Sequence, residues 1–134
     1  MENQEIIFRL GMLEQQLQQL QQQMQAVERG ITELQSLDLG LDEINGSKDK
    51  EILAQIGKGI FIKAKVLSED LTVNVGDNNF VKKNVAETKT LIQDQIRKLK
   101  EVEMQLEQNI ESTNNEFLSI AKEYQENQKT PDSE

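Results

Sequence analysis

From Ile6 the apolar residues fall at Ile6, Leu10, Leu13, Leu17, Leu20, Met24, Val27, Ile31 and Leu34, in steps that alternate strictly between four and three. This spacing is a heptad seam. Between Leu13 and Leu34 every other position holds Glu, Gln, Arg or Thr, apart from Ala26 and Gly30. A single narrow stripe can therefore be buried, and such a helix needs a partner. After Leu34 the spacing slips to Leu37, Leu41 and Ile44, while Gly40 and then Asn45-Gly46-Ser47 supply stop and turn chemistry. The pattern predicts a helix over about residues 4–40.

A second seam reads backwards from Tyr124 through Ile120, Phe117, Thr113, Ile110, Leu106, Glu103, Leu99, Ile96, Ile92, Lys89 and Val85. It predicts a helix over about 84–126, with Lys89, Glu103 and Thr113 as polar interruptions that can set register or mark local fraying. The polar residues 127–134 are expected to form a disordered tail.

Between the two seams the period changes from 3.5 to 2. Glu51–Ile56 and Ile60–Val66 flank Gly57-Lys58-Gly59, and Leu71–Val75 and Phe80–Lys83 flank Gly76-Asp77-Asn78-Asn79. Both read as hairpins with short glycine-containing turns, so two hairpins are expected within about 51–83. Ile60, Ile62, Ala64 and Val66 fall on one face, with Phe61, Lys63 and Lys65 on the other, and Leu71, Val73 and Val75 repeat the alternation. Antiparallel helices would match Leu41 with Val85 and Leu10 with Phe117. The expected fold is mostly α with small β: a long antiparallel coiled-coil hairpin with two β-hairpins at its base, one domain over 1–126. Four short strands bury little and expose edges, which makes the β end an assembly module.

Composition narrows the function. The 134 residues carry 15 Lys+Arg against 24 Asp+Glu, a formal net charge of −9 that disfavours nucleic acid. With no Cys and no His, zinc clusters, disulfides, Cys–His pairs and imidazole catalysis fall away. No apolar run approaches the ~18–20 residues of a membrane span. We expect a cytoplasmic protein with no cofactor, no metal and no enzyme activity. Gly57-Lys58-Gly59 precedes a strand and lacks the phosphate-loop frame. Asp77-Asn78-Asn79 lacks the later bidentate Glu of a calcium loop. Asp42-Glu43, Asp49 and Glu51 read as solvated loop charges, and Lys63, Lys65, Lys82 and Lys83 as edge protection or a patch for acidic neighbours.

The polar surface of the first helix fails locally near its start: Ile7, Phe8 and Met12 are apolar and off the seam. Leu118 and Ala121 lie opposite them on the antiparallel helix, also outside the seam. Such a cluster at a helix end can hold non-native chains. The same residues can instead cap the coil or meet a neighbouring one.

The order coil, two hairpins, coil, together with the segment Ile52-Leu53-Ala54-Gln55-Ile56-Gly57-Lys58-Gly59-Ile60-Phe61-Ile62-Lys63-Ala64-Lys65-Val66, resembles the alpha class of archaeal-type prefoldin subunits over nearly the full chain. Val73-Asn74-Val75-Gly76 and Val81-Lys82-Lys83-Asn84 resemble the second hairpin that separates this class from the beta class. The resemblance implies a subunit of an ATP-independent holdase, a hexamer of two alpha-class and four beta-class subunits joined through β-barrels. Its coiled-coil tips would grip unfolded clients, here through Ile7, Phe8, Met12, Leu118 and Ala121, and deliver them to a group II chaperonin. Ile60, Ile62, Val66, Leu71, Val73 and Val75 would serve assembly. A structural coiled-coil adaptor or filament former is the alternative.

Overall fold

A computed structural model of the chain describes residues 2–129. In chain order it contains helix α1 (Asn3–Ile44), strands β1 (Glu51–Gly57), β2 (Ile60–Lys65), β3 (Leu71–Asn74) and β4 (Phe80–Lys83), and helix α2 (Val85–Lys129). Two long helices with two antiparallel hairpins between them are the architecture the alternating periods predict. The chain divides into two compact units, one formed by residues up to Gly30 together with those from Leu99 onward, the other by Ile31–Lys98.

In the first unit the two helices bury one stripe each. Ile6, Leu13 and Ile120 form a core against which Leu10, Phe117 and Tyr124 pack. Leu106 and Thr113 are buried as well, whereas Leu17, Leu20, Met24 and Val27 are half-buried. Half-burial is the natural outcome when a seam side chain has one partner helix and no third element to close over it. Among the described residues, Ile6 is the one large side chain that loses all its exposure. Gly30 marks a close approach, because a Cβ there would lie 3.3 Å from Leu99 Cδ1. Arg9 and Glu116 form an exposed ion pair across the two helices, of the kind worth at most about 1 kcal/mol. The helix α2 continues through Asn127 and Gln128 to Lys129, past the expected end near 126. Helix propagation adds one hydrogen bond per residue and so outruns the last apolar position, and Asn127 Nδ2 lies 3.5 Å from Asn3 Oδ1. The remainder of the expected tail, residues 130–134, lies outside the described residues.

The second unit has its own core of Leu41, Val85 and Ile92, joined by Leu34, Ile44, Leu71 and Ile96. Here α1 runs four residues beyond the expected stop, since Gly40 is accommodated in the helix. Termination falls instead at Gly46, whose φ of 76° suits glycine, and at Ser47, whose Oγ donates to the Ile44 carbonyl at 2.6 Å. The α2 start is a capping box: Glu87 N–H donates to Asn84 Oδ1 at 2.7 Å, and Asn84 N–H lies 3.5 Å from Glu87 Oε1. Such a cap stabilises by about 1 kcal/mol.

The strands form two separate two-stranded sheets. In the first, Ile52 pairs with Ala64, Leu53 with Lys63, Ala54 with Ile62 and Gln55 with Phe61, with a bulge before Gly57. In the second, Leu71 pairs with Lys83, Val73 with Val81 and Asn74 with Phe80. The turn after β3 has Asp77 and Asn78 at φ of 50° and 59°, with Asn79 N–H donating to the Gly76 carbonyl at 2.9 Å. Two consecutive positive φ values match the twist of a tight hairpin. Val75 falls outside the expected strand: β3 stops at Asn74, and Val75 N–H bonds to the Asn79 carbonyl at 2.9 Å within the turn.

Candidate functional site

Two surfaces answer to the candidate residues, one in each unit. The first lies at the start of α1. Ile7, Phe8 and Met12 keep 55%, 70% and 56% of their surface exposed. They sit on α1 because the heptad seam commits only Ile6, Leu10 and Leu13 to the inside. Phe8 and Met12 line an open hollow with Gln4, Glu5 and Arg9. Ile7, Phe8 and Met12 line a second with Gly11 and Gln15.

The Arg9–Glu116 pair decides how α2 contributes. Both residues occupy the same flank of the seam, and Met12 lines a hollow beside them with Leu13, Gln16 and Glu116. By heptad position Ile7 and Ala121 fall on the opposite flank, next to Leu118. Leu118 is exposed and Ala121 half-buried. The five residues therefore wrap the outside of the helix pair: Ile7, Leu118 and Ala121 on one flank, Met12 on the other, Phe8 between Ile7 and Met12 on α1.

The second surface belongs to the hairpins. Paired residues of an antiparallel ladder share a face, so Ile52, Ala54, Ile60, Ile62 and Ala64 make one wholly apolar face. Ile60 and Ile62 are exposed, Ile62 by 54%. Val66 is half-buried, as are Leu71 and Val73, while Val75 is exposed. Leu53 and Phe61 are exposed and apolar on the other face, and Ile56 and Phe80 are exposed too. Their signal was the unbroken run Ile52-Leu53-Ala54, since a strand covered on both faces reads as continuous instead of alternating.

Sequence reasoning also missed Asp38. Counting apolar residues alone took the path through Leu37, which is exposed. The strict step of four from Leu34 lands on Asp38, and the next step of three on Leu41. Asp38 Oδ1 is buried, accepts no hydrogen bond, and has the Lys89 ammonium 3.5 Å away. Lys89 Nζ also donates to Asp42 Oδ1 at 2.6 Å and to the Asp38 carbonyl at 3.3 Å. The hydrogen bond to Asp42 first, and the Asp38 charge after it, hold the Lys89 ammonium above the ordinary lysine range. Thus the polar interruption at Lys89 is matched across the seam. Among the described residues no group of three His, Cys, Asp or Glu can hold a metal ion, and no helix is long and apolar enough to cross a membrane.

A helix pair joined through two β-hairpins, with apolar residues exposed on the strands and at the helix ends, defines a prefoldin-type fold. The Prefoldin subunit family model matches residues 13–130, and the chain belongs to the prefoldin family. It is similar to prefoldin subunit alpha of Methanosphaera stadtmanae, 26% identical over 89 residues that cover 66% of this chain and 64% of that protein. The chain thus matches somewhat under two thirds of that relative's length. Its fold is also that of a chain in the cryo-EM structure of filamentous PFD from Methanocaldococcus jannaschii, with a TM-score of 0.72 at 20% identity, covering 90% of this chain and 98% of that one.

Proposed function

We propose that this chain is the alpha-class subunit of an ATP-independent holdase. It captures unfolded proteins on the apolar side chains Ile7, Phe8, Met12 and Leu118, with Ala121 beside them, and passes them to a group II chaperonin. Assembly with beta-class subunits, two alpha to four beta, uses the hairpin residues Ile60, Ile62, Val66, Leu71, Val73 and Val75. The complex works in the cytoplasm without cofactor. The observation that carries this reading is the exposure of Ile7, Phe8 and Met12 on a helix whose next three turns expose only polar side chains. Exposed apolar clusters of this kind are costly in water unless something binds them.

Replacing Ile7, Phe8 and Met12 together by Ser removes little internal packing. If about 100 Å² of apolar contact per subunit is lost, client binding weakens by about 2.5 kcal/mol, multiplied in effect by several subunits acting together. The triple variant is expected to assemble normally and to fail in preventing aggregation of a denatured client. Full protection by the assembled variant would overturn the site, and loss of assembly would make these residues structural.

A second reading is a filament former, favoured by the apolar exposure on both faces of the β1–β2 hairpin and by the filamentous relative. Mass measurement of the purified chain by itself separates the two, since a filament grows without a beta-class partner.

A further inference from the structure

The holdase reading leaves open which unfolded segments are held. We infer that the surface around Gly11 receives extended non-native segments whose apolar residues are flanked by Lys or Arg. This inference rests on the holdase reading and refines it.

Glycine is the least favourable residue inside a helix after proline, so an internal helical glycine calls for a reason. Gly30 has one in Leu99, but a Cβ at Gly11 would meet nothing within 4 Å. Gly40 is equally open, so openness alone does not single out Gly11. Its place does: Gly11 lines the hollow bounded by Ile7, Phe8, Met12 and Gln15. A side chain here would project into the apolar surface, and its absence leaves room for a guest side chain.

Size argues for the kind of guest. Three side chains of this type, each exposed by half or more, offer on the order of 300 Å², against the ~800 Å² per partner of a stable interface between folded proteins. A short extended segment fits that area, bound weakly at each copy. Charge argues for its flanks. Around this end of the helix pair, residues 2–16 and 114–129 hold six Glu (Glu2, Glu5, Glu14, Glu116, Glu123 and Glu126) against Arg9, Lys122 and Lys129, so the local charge is acidic. Glu5 lines the hollow with Phe8 and Met12, within the ~8 Å over which charges act at physiological salt. Arg9 shares that hollow but is engaged by Glu116. The positive end of the α1 dipole opposes the carboxylates, yet it amounts to about half a charge and fades within the first turn. The acidic field prevails.

The test uses two labelled unstructured peptides with one apolar sequence, flanked by three Lys or by three Glu, titrated against the full-length chain. The Lys-flanked peptide is expected to bind on the order of fivefold more tightly at low salt, the ratio falling toward one near 1 M salt, where screening shortens to ~3 Å. Gly11→Gln should raise the thermal midpoint, because Gln is a good helix former, while weakening the Lys-flanked peptide on the order of threefold or more. Gly40→Gln should leave binding unchanged. Equal binding of both peptides, or preference for Glu flanks, would overturn the charge preference and leave the holdase reading standing. Unaltered binding by Gly11→Gln would overturn the role of the hollow. Failure of wild type to bind either peptide would overturn the holdase reading itself.

Discussion

The two units use the same heptad spacing to opposite ends. The unit formed by residues up to Gly30 and from Leu99 onward has 13 Asp+Glu against 5 Lys+Arg, whereas Ile31–Lys98 has 11 against 10. In the first, buried Thr113 and half-buried Glu103 sit on the seam, and the exposed apolar residues are Ile7, Phe8 and Met12 at the start of α1, Leu118 on α2, and Val102 and Met104 beside Glu103. In the second, a charged pair occupies the seam at Lys89 and Asp38, and exposed apolar residues spread over the hairpins and include Leu37 and Leu39 on α1. Repulsion within an acidic unit favours solubility while apolar residues are displayed. A nearly neutral unit carries no such barrier to close association with other chains. The difference teaches that periodicity sets how helices pair, and charge and off-seam residues set what each unit can meet.

The sharpest way to break this comparison is Ile62→Asp. A charge on the apolar face of the first hairpin is costly to bury without a partner, so co-assembly with other prefoldin subunits should be abolished while far-UV circular dichroism stays unchanged. A full-mass complex containing the variant would remove the hairpin from assembly. Next in size are seam truncations. Leu106→Ala in the first unit should cost ~2–3 kcal/mol in denaturant unfolding, at the low end of the usual ~2–5, because two helices alone enclose it, and Ile92→Ala, in a core that Leu71 of β3 also joins, should cost at least as much. Half-buried Leu17→Ala should cost less. Equal losses at Leu17 and Leu106 would mean that the seam is closed by something further in solution.

The smallest effects sharpen the comparison through glycine. Gly40→Ala, with nothing within 4 Å of its Cβ position, should raise stability by about 0.5–1 kcal/mol from helix propensity alone. At Gly30 the new methyl meets Leu99 at 3.3 Å, so the same substitution should gain less or lose stability. The two thermal midpoints, measured side by side, check the close approach at Gly30.

Much of the molecule was legible because its rules are local. Alternating steps of three and four predicted every seam position of α2 from Val85 to Tyr124, and all twelve are buried or half-buried. Period-two segments and turn residues located the four strands. The end of α1 was misplaced because Gly40 was read as a stop, although a helix already anchored by Leu41 and Ile44 tolerates one glycine. The exposure of Ile7, Phe8 and Met12 followed from their place off the seam. Their distribution around the helix pair did not, since it depends on which flank of α1 faces which flank of α2.

The sequence by itself determined two seamed helices, two hairpins, the turns between them and the separation of acidic from near-neutral segments. Each depends on neighbours within a few residues or on counting charges. Only the tertiary structure decided that Asp38 meets Lys89 across the seam, that Arg9 pairs with Glu116 and that Gly30 is held close to Leu99. The Asp38–Lys89 and Arg9–Glu116 pairs join residues 51 and 107 positions apart in the chain, and heptad spacing alone does not specify which side chains meet across a seam until the two helices are set in register.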